Sequence, residues 1–382
     1  MTNDNRTALQ EGTKVSLRLL GGGTEELTVE EVIGWGGSCV VYRGSCAGLT
    51  GGRRRAAVVK EFYPCAIPAL VRLADGSIQV PEEQRERFAL LRDRFAAGIG
   101  NFEACFELDA DHASPRPFLY AEANGTVYAV SDPSQGSVLT EIDRSRLTIY
   151  RAARILLSVC NALGKLHGDP RRLLYLDCKP DNLFLSTCDQ EDHVRLFDFD
   201  TVVSMEDLQD RRCRLCTYSE GWAPPEQKRW ETGSLGPWTD LYSAGAVFFW
   251  LLTGRKPSAE PGVPYGRSDL EKLRDGDFDW RAASPLCAGE TEEVLAAVGK
   301  ITALALHPVP QYRYASAEEM AGDLRHLAAM TEGDERHAPI YEELGKIRQA
   351  QQESAAAAAD FARQARSGQE ETRRELRARS LK

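Results

Sequence analysis

Residues 175–185 read YLDCKPDNLFL. An aspartate, a lysine and an asparagine (Asp177, Lys179, Asn182) sit in a short polar stretch between apolar residues. Taken singly, each reads as a turn-capping side chain, the ordinary use of Asp and Asn in loops. Taken together in a bent loop they offer a carboxylate that accepts a hydroxyl proton, an ammonium that neutralises an anionic oxygen, and an amide oxygen that holds a hard cation.

Reading outward strengthens the set. Downstream, LFDFD (residues 196–200) ends an apolar strand on Asp198, a carboxylate that with Asn182 makes a hard-oxygen pair suited to Mg²⁺. Upstream, GWGGSCVV (residues 34–41) is a glycine-rich turn between two strand-like runs, followed by AAVVKEF (residues 56–62) with Lys60. A glycine turn alone is weak evidence. Followed by Lys60, Asp177 and Asp198, it reads as a loop that covers a phosphate with backbone amides, with Gly36 and Gly37 allowing close approach. Catalysis of phosphoryl transfer is mostly positioning plus charge neutralisation, and these residues supply both.

Two further stretches follow in order: APPEQ (residues 223–227) and TDLYSAGAVFFWLLTG (residues 239–254). The ordered series resembles the eukaryotic-like serine/threonine protein kinase family, most closely its bacterial branch, over residues 25–330. The resemblance implies an α+β, bilobal fold: a small antiparallel β-sheet lobe with one main helix (about residues 25–132) and a larger, mostly helical lobe (about 133–330). It implies transfer of the γ-phosphoryl of ATP, with Mg²⁺ or alternatively Mn²⁺, to a Ser or Thr hydroxyl of a protein substrate.

The same resemblance assigns roles. Asp177 matches the catalytic base, Lys179 the γ-phosphate lysine, and Lys60 the lysine of the α- and β-phosphates. Asn182 and Asp198 match the metal ligands. Gly34, Gly36, Gly37 and Val41 match the phosphate-covering loop, with Val41 and Val58 above the adenine and Phe184 beneath it. Asp132 to Ser134 match the hinge, with Ser131 as a small gatekeeper. Glu226 matches a buried acid paired with a downstream arginine, here Arg313, and Asp240 the anchor of the catalytic loop; these three are structural.

The chain departs from the pattern in four places. Cys39 and Asp200 stand where glycines are usual. Tyr175-Leu176 replaces His-Arg, and Leu176 cannot bind a phosphate, so activity is expected not to depend on a phosphate clamp in the activation segment. The acidic partner of Lys60 on the small-lobe helix has three readings: Glu103, Glu107, or no acid at all if Gly98 takes the position. A nucleotide-binding scaffold or pseudokinase with little turnover is the alternative functional reading. A small-molecule kinase of similar fold is disfavoured by APPEQ and the helix after it.

The remaining sequence sets bounds. The chain has 382 residues and a net charge of −10, which disfavours a nucleic-acid partner. Its longest greasy stretch, AGAVFFWLL (residues 244–252), is too short to span a bilayer and reads as a buried helix. The polar opening MTNDNRTALQEGTK predicts no signal peptide, and a cytoplasmic location is expected. Ten cysteines are scattered without a framework, and the lone CxxC, Cys213 to Cys216, lacks a second pair for zinc.

Residues 1–12 read as a disordered lead, with an extra strand before residue 25. Phe88, Leu91, Phe95, Ile99, Phe102 and Phe106 recur at helical spacing, weakened at Gly98 and Gly100 by about 1 kcal/mol each. Residues 331–382, rich in Ala, Gln, Glu and Arg, read as either a solvated helix or a frayed tail, one that binds a partner or self-associates.

Overall fold

A computed structural model describes residues 6–332, apart from 21, 48–53, 107–118, 132, 134–135, 189–190, 210–217 and 260–266. Glu107, the hinge residues Asp132 and Ser134, the Cys213–Cys216 pair and the tail therefore lie outside the described residues, as does the side chain of Glu103.

The small lobe is built on alternation. Strand β1 (Lys14–Leu19) buries Val15, Leu17 and Leu19 and exposes the residues between them, the period-two pattern of a one-sided strand. Strands β2 (Thr24–Trp35), β3 (Cys39–Ala47) and β4 (Arg54–Phe62) follow, then β5 (Leu119–Ala123) and β6 (Thr126–Ser131). The sheet is more than an open antiparallel array. β1 pairs with both β2 and β5, closing a barrel in the order β1-β2-β3-β4-β6-β5. Closure removes the exposed edges.

The lead is not wholly disordered. Leu9 is buried in the small-lobe core, and its amide donates to the Tyr42 hydroxyl at 3.1 Å.

On β4, Val58 and Lys60 face the cleft while Ala57, Val59 and Glu61 face the barrel interior. Glu61 is fully buried there. It accepts from the hydroxyls of Tyr42 (2.8 Å) and Tyr128 (2.5 Å) and from the Arg72 guanidinium (2.5 and 3.0 Å). A buried carboxylate is tolerable only when its lone pairs are filled in this way. The network fixes β4, and with it the height at which Lys60 enters the cleft.

Helix α1 (Arg85–Phe106) packs Phe88 and Phe95 against Phe62, at ring separations of 5.2 and 5.4 Å. The large lobe centres on α2 (Ile149–Gly168), started by Thr148, whose side chain accepts from the Arg151 amide. The hairpin of β7 (Leu183–Cys188) and β8 (Glu191–Leu196) is tied to α2 by the buried pair Arg151–Asp192 at 2.7 Å. The greasy stretch forms most of α3 (Pro237–Thr253), buried on nearly all sides. Helices α4 (Glu292–Ala305) and α5 (Ala317–Thr331) complete the core with α2 and α3. Among the described residues no helix is long and apolar enough to cross a membrane.

Candidate active site

Asp177, Lys179 and Asn182 converge between the two lobes. Lys179 Nζ donates to Asp177 Oδ2 at 2.8 Å, and Asn182 Nδ2 donates to the same oxygen at 2.7 Å. Asp177 Oδ1 accepts from the Ser219 hydroxyl at 2.7 Å, and Lys179 also donates to Ser219 Oγ at 2.8 Å. Ser219 was legible in the sequence only as one of several hydroxyls in the activation segment. Its closeness to the APPEQ motif is the signal that could have placed it, because that motif anchors the segment's far end.

The loop is held from below. Asp240, fully buried on α3, accepts from the amides of Tyr175 (2.9 Å) and Leu176 (2.7 Å) and contacts His167 Nε2 at 2.9 Å. Gln227 Nε2 donates to the Leu176 carbonyl at 2.6 Å, a contact the sequence did not signal. Leu176 has φ +62°, a conformation rare for a side chain with a Cβ, so these contacts hold a strained turn. Glu226 and Arg313 form a buried two-pronged pair at 2.7 and 2.9 Å, which fixes the end of the activation segment.

Tyr175 links the catalytic loop to Asp198. Its hydroxyl donates to the Phe197 carbonyl and lies 3.3 Å from that of Asn182. Its ring meets Phe199 edge-on at 5.7 Å. The Phe197 amide donates to the Asn182 carbonyl at 2.8 Å. Asp198 is itself left-handed, φ +57°. The Asn182 amide spends its nitrogen on Asp177, which leaves its oxygen, with the Asp198 carboxylate, as a hard-oxygen donor set that fits Mg²⁺ or Mn²⁺.

Lys60 pairs in register with Val41 on one side and Ala129 on the other. Its Nζ lies 6.0 Å over the Phe197 ring, which meets Phe184 edge-on at 5.2 Å. Phe184 lies on β7, and Val41 and Val58 are half-buried on β3 and β4. Burial works against the Lys60 ammonium, but the carboxylate of Asp198, with Cys39 and Asp200, offsets it and holds the pKa above the ordinary lysine value. Burial, then Asp198, pushes the Asp200 carboxyl up to about 7, against the pull of Lys60.

The glycine turn is a tight hairpin. The Gly36 amide donates to the Cys39 carbonyl at 2.9 Å, so it is already engaged. The carbonyls of Gly37 and Ser38 accept from the amides of Cys65 and Tyr63, both at 2.9 Å. Gly34 packs beside Val41. The Arg6 guanidinium donates to the carbonyls of Gly36 and Tyr63 and lies 5.4 Å over the exposed Trp35 ring. No sequence pattern pointed to Arg6, whose partners are backbone atoms.

Residues 118–287 match the protein kinase domain family. A probable serine/threonine-protein kinase PknB of Corynebacterium glutamicum is 27% identical over 53% of this chain and 30% of its own length. The serine/threonine-protein kinase PknL of Mycobacterium tuberculosis is 25% identical over 78% of this chain and 65% of its own. The chain thus spans less than two thirds of either relative. Among solved structures, one described as PpkA-294 in its apo form superposes with a TM-score of 0.57 at 23% identity, over 84% of this chain and all of that one, a likeness of fold. Together with the bilobal architecture and the convergence of Asp177, Lys179 and Asn182, these matches place a protein kinase domain in the chain at residues 118–287 and support a eukaryotic-like serine/threonine protein kinase family.

Proposed function

We propose that the protein transfers the γ-phosphoryl of ATP to a Ser or Thr hydroxyl of a protein substrate. The observation that carries this reading is the state of Asp177, whose Oδ2 is fixed by Lys179 and Asn182 while Oδ1 is held by a hydroxyl at 2.7 Å. A substrate hydroxyl brought beside Ser219 to Asp177 Oδ1 would be oriented by that carboxylate and lose its proton to it. Lys179 sits where negative charge on the transferred group would be neutralised, and Lys60 would hold the α- and β-phosphates. Asn182 and Asp198 would hold Mg²⁺ or Mn²⁺, which would supply positive charge against the phosphates. Val41, Val58 and Phe184 would sandwich the adenine.

The test is ATP turnover with a Ser/Thr protein acceptor. Asp177→Asn should lower the rate by about a hundredfold or more, and equal rates would sink the reading. A nucleotide-binding scaffold with little turnover is favoured by one observation: the glycine hairpin is tied down through Gly36, Gly37 and Ser38. ATP binding without any Asp177-dependent turnover would select that alternative.

A further inference from the structure

The glycine hairpin is held by its carbonyl oxygens. The Arg6 guanidinium donates to the carbonyls of Gly36, at 2.8 Å, and Tyr63, and reaches that of Cys39 at 3.4 Å. The Gly37 carbonyl accepts from the Cys65 amide and the Ser38 carbonyl from the Tyr63 amide, both at 2.9 Å. In a planar trans peptide the N–H points opposite to the C=O. Fixing the Gly36 carbonyl therefore turns the Gly37 amide away from Arg6. Fixing the Gly37 carbonyl likewise turns the Ser38 amide away from Cys65. Successive amides held in set directions at a turn can form a concavity for an anion.

Arg6 can act as a fixed point only if its own segment is anchored, and it is. The Thr7 carbonyl accepts from Arg72 Nε at 2.7 Å, the Leu9 amide donates to the Tyr42 hydroxyl at 3.1 Å, and the Gly12 amide donates to the Val29 carbonyl at 2.8 Å. Arg72 and Tyr42 both bond Glu61, the neighbour of Lys60. The Arg72 side chain is only 5% exposed, so Thr7 rests on a buried support. With Thr7 pinned, the adjacent guanidinium meets the hairpin at a set height and lies 5.4 Å over the Trp35 ring. Bonding several carbonyls at once uses the planar fork of an arginine, which a lysine lacks.

We propose that residues 6–12 form a strap across the small lobe and that Arg6 is its positioning residue, which sets the glycine-hairpin amides for phosphate by holding the hairpin carbonyls. Arg6 acts through the hairpin backbone and not as a charge on the nucleotide. This inference rests on the kinase reading for the identity of the nucleotide, but it is measured without turnover.

The test uses the full chain with Arg6→Ala and Arg6→Lys. The amides of Gly36, Tyr63 and Cys65 donate to hairpin carbonyls, so their hydrogen exchange without nucleotide reports how firmly the hairpin is held. Kd values are measured for ATP with Mg²⁺ and for adenosine, which has no phosphate, and the urea midpoint reports global stability. Arg6→Ala should speed exchange of the three amides by about tenfold or more and weaken ATP by about fivefold or more. Adenosine should bind this variant within about twofold of wild type, and the urea midpoint should stay near the wild-type value. Arg6→Lys keeps the charge but not the fork, so it should resemble Arg6→Ala in both exchange and ATP affinity.

Wild-type exchange or wild-type ATP affinity in Arg6→Ala would overturn the proposal. So would recovery of ATP affinity in Arg6→Lys while exchange stays fast, because the charge alone would then be acting. Equal weakening of ATP and adenosine, or a fall in the urea midpoint that accounts for the faster exchange, would reduce Arg6 to general packing and overturn it as well. Wild-type protein that binds ATP but never transfers phosphate would sink the kinase reading, while the expected changes in Arg6→Ala would still support the strap.

Discussion

The Ser219 hydroxyl lies 2.7 Å from Asp177 Oδ1 and 2.8 Å from Lys179 Nζ, so it bridges the proposed base and the lysine beside it. A hydrogen bond to a charged group contributes about 1.5–3 kcal/mol. Ser219→Ala should therefore lower kcat by roughly ten- to a hundredfold, with little change in KM for ATP, and Ser219→Thr should restore most of it. Steady-state kinetics check this. An unchanged kcat in Ser219→Ala would show the contact to be incidental.

Leu176 stands where a phosphate-binding arginine is usual, and the structure surrounds it with carbon. It packs with Leu174, Val203, Leu208 and Leu235 in a separate apolar cluster, beside Met205 and Trp230. Residues 203–208 of the stretch after Asp198 are thus held down by burial. Phosphatase treatment should leave turnover within about twofold, whereas Leu208→Ala should destabilise the protein by about 2–5 kcal/mol. Loss of activity on dephosphorylation would show that a modified residue, for example Thr217 outside the described residues, also contributes.

Arg313 and Glu226 are both almost wholly buried, at 0% and 2% side-chain exposure, so neither charge has water to fall back on. Removing one partner strands the other. Arg313→Ala should cost about 3–5 kcal/mol in a urea titration, and replacing both by apolar residues should cost less than the single change. If the single variant melts like the wild type, the pair carries no such strain.

Cys39 lies in the hairpin directly after the glycine tip. Burial, opposed by Lys60 and helped by Asp200 and Asp198, pushes its thiol up to about 12. At pH 8 only about one thiol in ten thousand would be ionised, and the thiolate is the reactive form. Cys39 should resist alkylation at pH 8, with labelling rising only as pH climbs well above that, whereas the exposed Cys65 reacts first. Mass spectrometry after brief iodoacetamide treatment reads this directly. Rapid labelling of Cys39 would reopen a redox role for the loop.

The sequence by itself determined which candidate catalytic residues are present and in what order. Asp177, Lys179 and Asn182 are close in the chain, and a short loop between buried residues can only gather them. The alternation of β1 to β4 and the greasy run of α3 likewise follow from local period and composition. Even Glu226, Arg313 and Asp240 were legible, through the order of motifs. Barrel closure by β1 was not, because strand pairing depends on partners about a hundred residues away: Arg18 opposite Glu122 and Leu19 opposite Ala121. Nor was the docking of Leu9 and Arg6, since their partners are a buried hydroxyl and backbone carbonyls that no side-chain pattern announces. The setting of Lys60 belongs to the same class. The sequence offered Glu103, Glu107 or a bare Gly98. Only the packing of α1 on residues 199–200 brings Phe95, Gly98 and Ile99 to the lysine and sets Asp200 beside it. Electrostatic partnership depends on distance in space, and folding brings together residues 60, 98 and 200 that the chain keeps far apart.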